Sequence, residues 1–388
     1  MKASFTHATY VSALNEGISK NVHYLKENLR EAGVDGVLRT PTVRVEELNS
    51  KLHYITKGAA AARCLRESLK DPTVDVVHYH VAIPLMGVWG SVARLAARKT
   101  KPLVGHLWNP IFVKSETAIP PSPVELAYHR VFNSGLTLRA GVAGFDALIV
   151  SSRYQEQQLR KAGYTRPIHV IPNGVALDEY RPPADEQEKR DARDSLGIPQ
   201  EKTVVAYFGH LTPWKGVRTL VSAMPEVAAA NPEAHFVIAH TGYGKEGEAI
   251  HDQLAKGGLT DRVTFLGNLH VPTFLKAVDV GVVPAMSPVG TACFPNVLLE
   301  FHAAGIPVVA SRVGSIPEVV QEGRTGHLAP PGDAKAVAAA LNSLLADPAS
   351  LRQMGRQARR LAVERFDWLG IAKEVRGVYE GLLAERAA

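Results

Sequence analysis

The stretch ACFPNVLLEFHAAGIPVVASRVGSIPEVVQEGRTGHLAPP, residues 292–331, decides the reading of the whole chain. CFPN is a loop carrying a proline. VLLEFHAAG is a short helix, with Val297, Leu298, Phe301 and Ala304 at near-helical spacing and Gly305 as its stop. IPVVA is continuously apolar, as a strand covered on both faces must be. A loop, a second short helix and a glycine turn complete the segment. One carboxylate, Glu300, stands inside the apolar helix. An unpaired buried carboxylate is costly, so Glu300 is expected to face a polar cavity at the helix start or to hold a partner.

Working outward, the alternation of apolar runs and helical patterns persists on both sides. On the N-terminal side, residues 3–11, VDVVHYH at 74–80, PLVGHLW at 102–108 and FDALIVSS at 145–152 read as strands, and Gly17 opens a helix with Val22, Leu25, Leu29 and Ala32 on one face. Lys20, Glu27 and Arg30 are placed toward its wetter side. On the C-terminal side a second series begins with TVVAYFGHLTPWKG and runs through HFVIAH, RVTFLGN and AVDVGVVP. Strand–helix alternation predicts parallel sheets, whose ligands gather at the carboxyl ends of the strands. His78, His80 and His106 fall at or near that edge. Residues 107–140, with Pro110, Pro120, Pro121 and Pro123, form a long irregular connection of the kind that serves as a lid or binding loop. Trp108 and Phe112 there are read equally well as ring-stacking or as core residues. PPADEQEKRDARDSLGIPQ at 182–200 reads as a polar linker helix.

The decisive stretch resembles the signature of the retaining glycosyltransferases of family 4, also called group 1. Their pattern runs E-x-F-G-x-x-x-x-E-A-x-A-x-G-x-P-V-V-A, then V-G-G-x-x-E-x-V, then G-x-T-G. Phe294, Glu300, Gly305, Pro307, Val308, Val309, Ala310, Gly314, Glu318, Val320, Gly323, Thr325 and Gly326 stand in register. Two positions depart: Ala292 replaces the first Glu, and Pro295, which has no N–H to donate, replaces the Gly. The resemblance implies an α/β fold of two Rossmann-like βαβ domains facing across a cleft (GT-B). Residues 1–178 would bind the acceptor and 179–365 the nucleotide-sugar donor. Residues 366–388, with Phe366 and Trp368, would form a helix returning to the N-terminal domain. IPNGV, with Asn173-Gly174, resembles the family's hinge.

The same resemblance implies roles residue by residue. Gly209, His210, Leu211, Lys215 and Gly216 correspond to the family's G-R-L-x-x-x-K-G diphosphate clamp, with His210 in place of the Arg. A histidine is only partly charged at pH 7 and lacks the guanidinium fork, so a weaker or pH-dependent grip is expected. Gly17 would bring backbone N–H groups to the phosphates. Gly267, ending a V-x-F-x-G strand, would meet the nucleotide base. Glu300 would accept from the ribose hydroxyls, the backbone N–H groups of Phe294, Asn296 and Val297 would bind sugar and phosphate, and His106 would contact the donor sugar. His106, Lys215 and Glu300 form the expected catalytic set. Glu16 stands where the family has a first glycine; with His80 and Trp108 it is assigned to the acceptor. Nothing in the resemblance calls for a cofactor beyond the nucleotide-diphosphate sugar as co-substrate. The expected acceptor is a hydroxyl-, amine- or thiol-bearing molecule.

Composition narrows the alternatives. The chain of 388 residues is 46% apolar with a formal charge of +6, and its pI is near 9.2. Its length suits two domains, and its charge favours acidic partners such as nucleotide phosphates or an anionic membrane surface. No lysine/arginine block with interleaved aromatics points to nucleic acid. Cys64 and Cys293 make no disulfide framework, and no apolar run is long enough to span a bilayer, so a cytoplasmic location is expected. Gly242, Gly244 and Gly247 form a nominal dinucleotide fingerprint, but the next strand ends in Leu266-Gly267-Asn268 without a ribose-binding carboxylate. No D-x-D pair and no zinc spacing occurs, so no metal is assigned. The departures at the donor site point to a natural-product acceptor. A lipid acceptor at the membrane surface and a non-catalytic nucleotide-sugar binder are the alternatives.

Overall fold

A computed structural model describes residues 1–7, 17–41, 53–81, 87–98, 101–108, 135–267, 269–288 and 294–388. Glu16, Phe112, Ala292, Cys293, Asn268 and most of the proline-rich connection lie outside these residues. The first half runs β1 (Lys2–His7), α1 (Gly17–Glu31), β2 (Asp35–Leu38), α2 (His53–Lys70), β3 (Val76–Val81), α3 (Val88–Ala97), β4 (Leu103–Leu107), α4 (Gly135–Val142), β5 (Ala147–Val150), α5 (Arg153–Lys161) and β6 (Ile168–Val170). In the second half α6 (Glu186–Leu196) leads into β7 (Thr203–Gly209), α7 (Val217–Ala230), β8 (Ala234–His240), α8 (Gly244–Lys256), β9 (Val263–Gly267) and α9 (Val271–Lys276). Then come β10 (Val280–Val283), α10 (Asn296–Ala303), β11 (Val308–Ser311), α11 (Ile316–Val319), β12 (Gly326–Ala329), α12 (Ala334–Ala346), α13 (Pro348–Arg365) and α14 (Trp368–Ala387).

The strands form two six-stranded sheets, ordered β2-β1-β3-β4-β5-β6 and β12-β11-β10-β7-β8-β9. Every pairing within them is parallel. Their central strands are apolar on both faces because helices cover both: Val204, Val205, Val280, Val308 and Val309 are fully buried. Strand order reverses between β1 and β3 in the first sheet and between β7 and β10 in the second. In sheets of this kind the crevice for a ligand opens at those points, outside the carboxyl ends.

The last helix crosses back. Phe366 packs in the core of the second half, whereas Trp368, Ile371, Val375 and Tyr379 pack with Phe5, Leu25 and Leu29 of the first. The crossing is tight at the hinge: Val175 N–H donates to Phe366 O at 2.8 Å, and a Cβ on Gly174 would sit 2.4 Å from the Trp368 ring.

Strands β2, β6 and β12, absent from the reading above, are each at an edge of a sheet. They are only partly buried and so carry no continuous apolar run. The polar segment read as a linker helix, α6, lies within the second half, as the 179–365 boundary implies, but it is packed there rather than a free connection. Its Arg193 is buried, pairing with Asp279 at 2.7 Å and donating to Ala277 O at 3.2 Å. Asp279 in turn accepts from Val204 N–H at 2.7 Å.

Candidate active site

The second switch point is built from the loops after β7 and β10. Gly209 ends β7 with φ +148°, and Gly216 follows the short 3-10 turn Pro213–Lys215 with φ +72°. A Cβ on Gly216 would lie 1.8 Å from Pro284 O, so this loop closes against the end of β10 only with glycine there. Met286 N–H donates to Trp214 O at 2.9 Å and completes the seam. The seam fixes Lys215 at the crevice. Its side chain is half-buried, burial lowers its ammonium pKa, and it has no hydrogen bond or ion pair among the described residues. An unpaired, partly desolvated cation is costly unless an anion visits it. His210 is exposed, its Nδ1 2.8 Å from Thr241 Oγ1. Gly267 ends β9 beside His240.

Helix α10 enters the cleft between the halves. Phe294 is buried, and its carbonyl accepts from Asn173 Nδ2 of the hinge at 3.0 Å. The Asn296 side chain accepts from the same Asn173 amide at 3.0 Å and donates to Asn21 Oδ1 on α1 at 3.0 Å. Gly17, the first residue of α1, faces it: a Cβ there would be 3.8 Å from Asn296 Nδ2. Asn296 and Val297 open α10 without a side-chain cap, so their amides have no carbonyl within the helix to bond.

Glu300 holds a partner, one of the two outcomes expected for it. Lys20 Nζ of α1 lies 2.9 Å from Glu300 Oε1, with side-chain exposures of 17% and 8%. Lys20 also donates to Tyr180 OH at 2.5 Å and stands 4.5 Å from that ring's centre. The expectation that Lys20 faces solvent is therefore corrected. The helix wheel locates the apolar face of α1 but does not show that the second half of the chain packs over its polar side.

The first switch point is a histidine row. His7, His80 and His106 are register partners across β1, β3 and β4, with His78 two residues before His80 on the same face. Trp108 is 3% exposed. It stacks on His106 at 3.9 Å between centroids, and its indole N–H donates to His80 Nδ1 at 3.2 Å. Trp108 thus takes the core role rather than that of an exposed stacking platform. His78, His80 and His106 bring ring nitrogens within 4.8 Å of one another, a gathering that sequence spacing did not show. Because His80 Nδ1 accepts the indole proton, the neutral ring carries its own proton on Nε2. It offers the trio no lone pair there, and the set does not fit a three-histidine metal site. Both ring nitrogens of His106 are buried and have no hydrogen-bond partner among the described residues, so the ring does not open onto the cleft as a sugar contact requires.

Burial holds these imidazoles neutral: it lowers His7 to about 4 and His78 to about 3, and in the second half His302 to about 4. The unfolded chain protonates these histidines near 6.5 while the folded one does not, so stability is full above that pH. It falls as the pH drops from about 6.5 toward 4, by roughly 1.4 kcal/mol per pH unit for each histidine. Thermal unfolding between pH 7.5 and 4.5 is expected to show this decline. A flat profile would mean the histidines are not held neutral.

The chemistry this arrangement permits is anion binding at Lys215 and the α10 start, with polar groups of both halves lining the gap. Sequence reasoning named Lys215, Glu300 and Asn296, of which Glu300 and Asn296 contact α1 across the cleft. It missed Lys20, Asn21 and Tyr180, whose importance comes from packing across the cleft.

Comparison with known proteins agrees with this geometry. Residues 188–361 match the family model "Glycosyl transferases group 1", and residues 16–179 match "Glycosyltransferase Family 4". A D-inositol 3-phosphate glycosyltransferase of Streptomyces avermitilis is 30% identical over 389 residues, covering 97% of this chain and 78% of the relative. One from Corynebacterium glutamicum is 31% identical over 349 residues, covering 87% and 79%. Among solved structures, sucrose-phosphate synthase from Thermosynechococcus elongatus superposes with a TM-score of 0.80 at 24% identity, covering 99% of this chain and 100% of that one. Anabaena HepE in complex with UDP-glucose gives 0.72 at 22% identity, covering 98% and 100%. The two sheets thus have the GT-B arrangement, and the chain belongs to the group 1, family 4 glycosyltransferases and is a nucleotide-sugar glycosyltransferase.

Proposed function

We propose that the chain transfers a sugar, with retention of anomeric configuration and without a metal ion, from a nucleotide-diphosphate sugar to a small-molecule hydroxyl. The observation that carries this reading is Lys215, a half-buried ammonium with no partner among the described residues, held at the second switch point by Gly216. It supplies the positive charge that a departing diphosphate needs. The bond between the anomeric carbon and the β-phosphate oxygen breaks, and the diphosphate leaves with the electron pair. The acceptor oxygen bonds to the same face of the carbon, and its proton passes to the leaving phosphate oxygen. Glu300 is assigned to the ribose and His106 to a sugar hydroxyl, which it reaches only if the cover over the histidine row opens, since both its ring nitrogens are buried. Gly17, Gly209, His210, Gly267, Phe294, Asn296 and Val297 line the donor path, and His80 lies on the acceptor side.

Relatives that act on inositol 3-phosphate favour a phosphorylated polyol acceptor over an amine or thiol. The replacement of the family's Arg by His210 leaves a specialised natural-product acceptor as the second reading. Among the described residues no helix is long and apolar enough to cross a membrane, and we assign the reaction to the cytoplasm. The test is nucleotide release from UDP-glucose, GDP-mannose and related donors, with and without polyol phosphates and with EDTA present. The anomer formed is read by NMR. Acceptor-dependent release of an axial or equatorial product matching the donor supports the reading. Inversion, or loss of activity with EDTA, overturns it, and binding without release points to a non-catalytic binder.

A further inference from the structure

Glu318 belongs to the decisive stretch yet has no part in the chemistry above. Its carboxylate crosses from the second half to the first. Oε2 accepts from Arg153 N–H at 2.9 Å and Oε1 from Tyr154 N–H at 2.8 Å. These are the first two residues of α5, whose amides have no carbonyl within their own helix to bond. The next amide, Gln155 N–H, is satisfied locally by Ser152 Oγ at 3.2 Å. Two amides at the head of an acceptor-side helix are therefore satisfied by a donor-side carboxylate, across sequence separations of 165 and 164 residues.

The carboxylate meets the positive end of the α5 dipole through two charge-assisted bonds, the strong kind. It is presented rigidly, because Val313, Ile316 and Val319 around it are buried and Gly314 turns the chain at φ +54°. No other partner of Glu318 occurs among the described residues. The contact involves neither Lys215 nor Glu300.

We propose that Glu318 is a positioning residue that docks the donor-side half onto the acceptor-side half by seating its carboxylate on the N-terminus of α5. Transfer needs the two substrates held to within about an ångström, so a contact that sets how the halves meet governs rate without touching substrate. The inference deepens the reading above, but its first test is independent of it. In Glu318→Ala, amide hydrogen exchange at Arg153 and Tyr154, measured on the full chain without ligand, is expected to speed up about tenfold, the factor that loss of an N-cap corresponds to. Gln155, capped by Ser152, keeps its protection. Glu318→Gln, which retains one acceptor oxygen, falls between.

With the donor that the panel identifies, kcat is expected to fall about tenfold while the donor KM stays within twofold. Unchanged exchange at Arg153 and Tyr154 overturns the proposal. Exchange rising equally along all of α5 also overturns it, since Glu318 would then only support the fold. So does normal kcat despite fast exchange at the two amides. If no donor is turned over by the wild-type chain, the functional reading fails while the exchange result still decides whether the clasp exists.

Discussion

Lys215→Ala is expected to lower the rate of sugar transfer by about a hundredfold or more, the scale on which a preorganised group at a developing charge contributes. Lys215 is the one residue of the diphosphate clamp that keeps the family's cation, since His210 stands where an Arg is usual. Its ammonium is half-buried and unpaired among the described residues, and burial already depresses its pKa. A diphosphate beside it works in the opposite direction and favours the charged form. Donor binding at alkaline pH should therefore take up a proton, visible as a buffer-dependent binding enthalpy that disappears in the variant. The fold should survive, because the loop is held by Gly216 against Pro284 and by the Met286–Trp214 bond rather than by the lysine head group. A rate within a fewfold of wild type would remove Lys215 from the mechanism.

Glu300→Gln is expected to weaken nucleotide binding roughly ten- to hundredfold, the range for losing one charge-assisted bond to a hydroxyl. Isothermal titration with UDP and GDP measures it directly. Glu300 has a second occupation to control for, its pair with Lys20 at 2.9 Å. The space around that pair, bounded by Lys20, Asn21, Tyr24, Tyr180, Asn296 and Trp368, is about 10 Å³. A ribose cannot enter it without displacing the lysine or parting the halves. Lys20→Met separates the two roles. If Glu300 serves the ribose, this variant leaves nucleotide affinity unchanged or improves it. If both variants weaken binding equally, the carboxylate acts by joining the halves and its assignment to the ribose falls.

Much of the fold was legible because buried parallel strands have an unmistakable pattern. IPVVA, VDVVHYH and AVDVGVVP are apolar throughout, which only strands covered on both faces can be. The edge strands β2, β6 and β12 escaped notice for the converse reason. They stand at sheet edges, are only partly buried and resemble loops in composition. The same logic explains α6. Its charged surface reads as a linker, but Arg193 is drawn inward by Asp279, a pairing no local pattern records.

The sequence alone determined the two sheets, the glycine-dependent loop that places Lys215, and the polar residues at the start of α10, because these depend on local spacing and backbone geometry. Only the tertiary structure decided which groups meet across the cleft: Lys20 with Glu300, Asn21 with Asn296, and Glu318 with the head of α5. Those contacts join residues far apart in the chain. Their energies come from desolvating both partners together, which has no periodicity along a sequence for a reader to find.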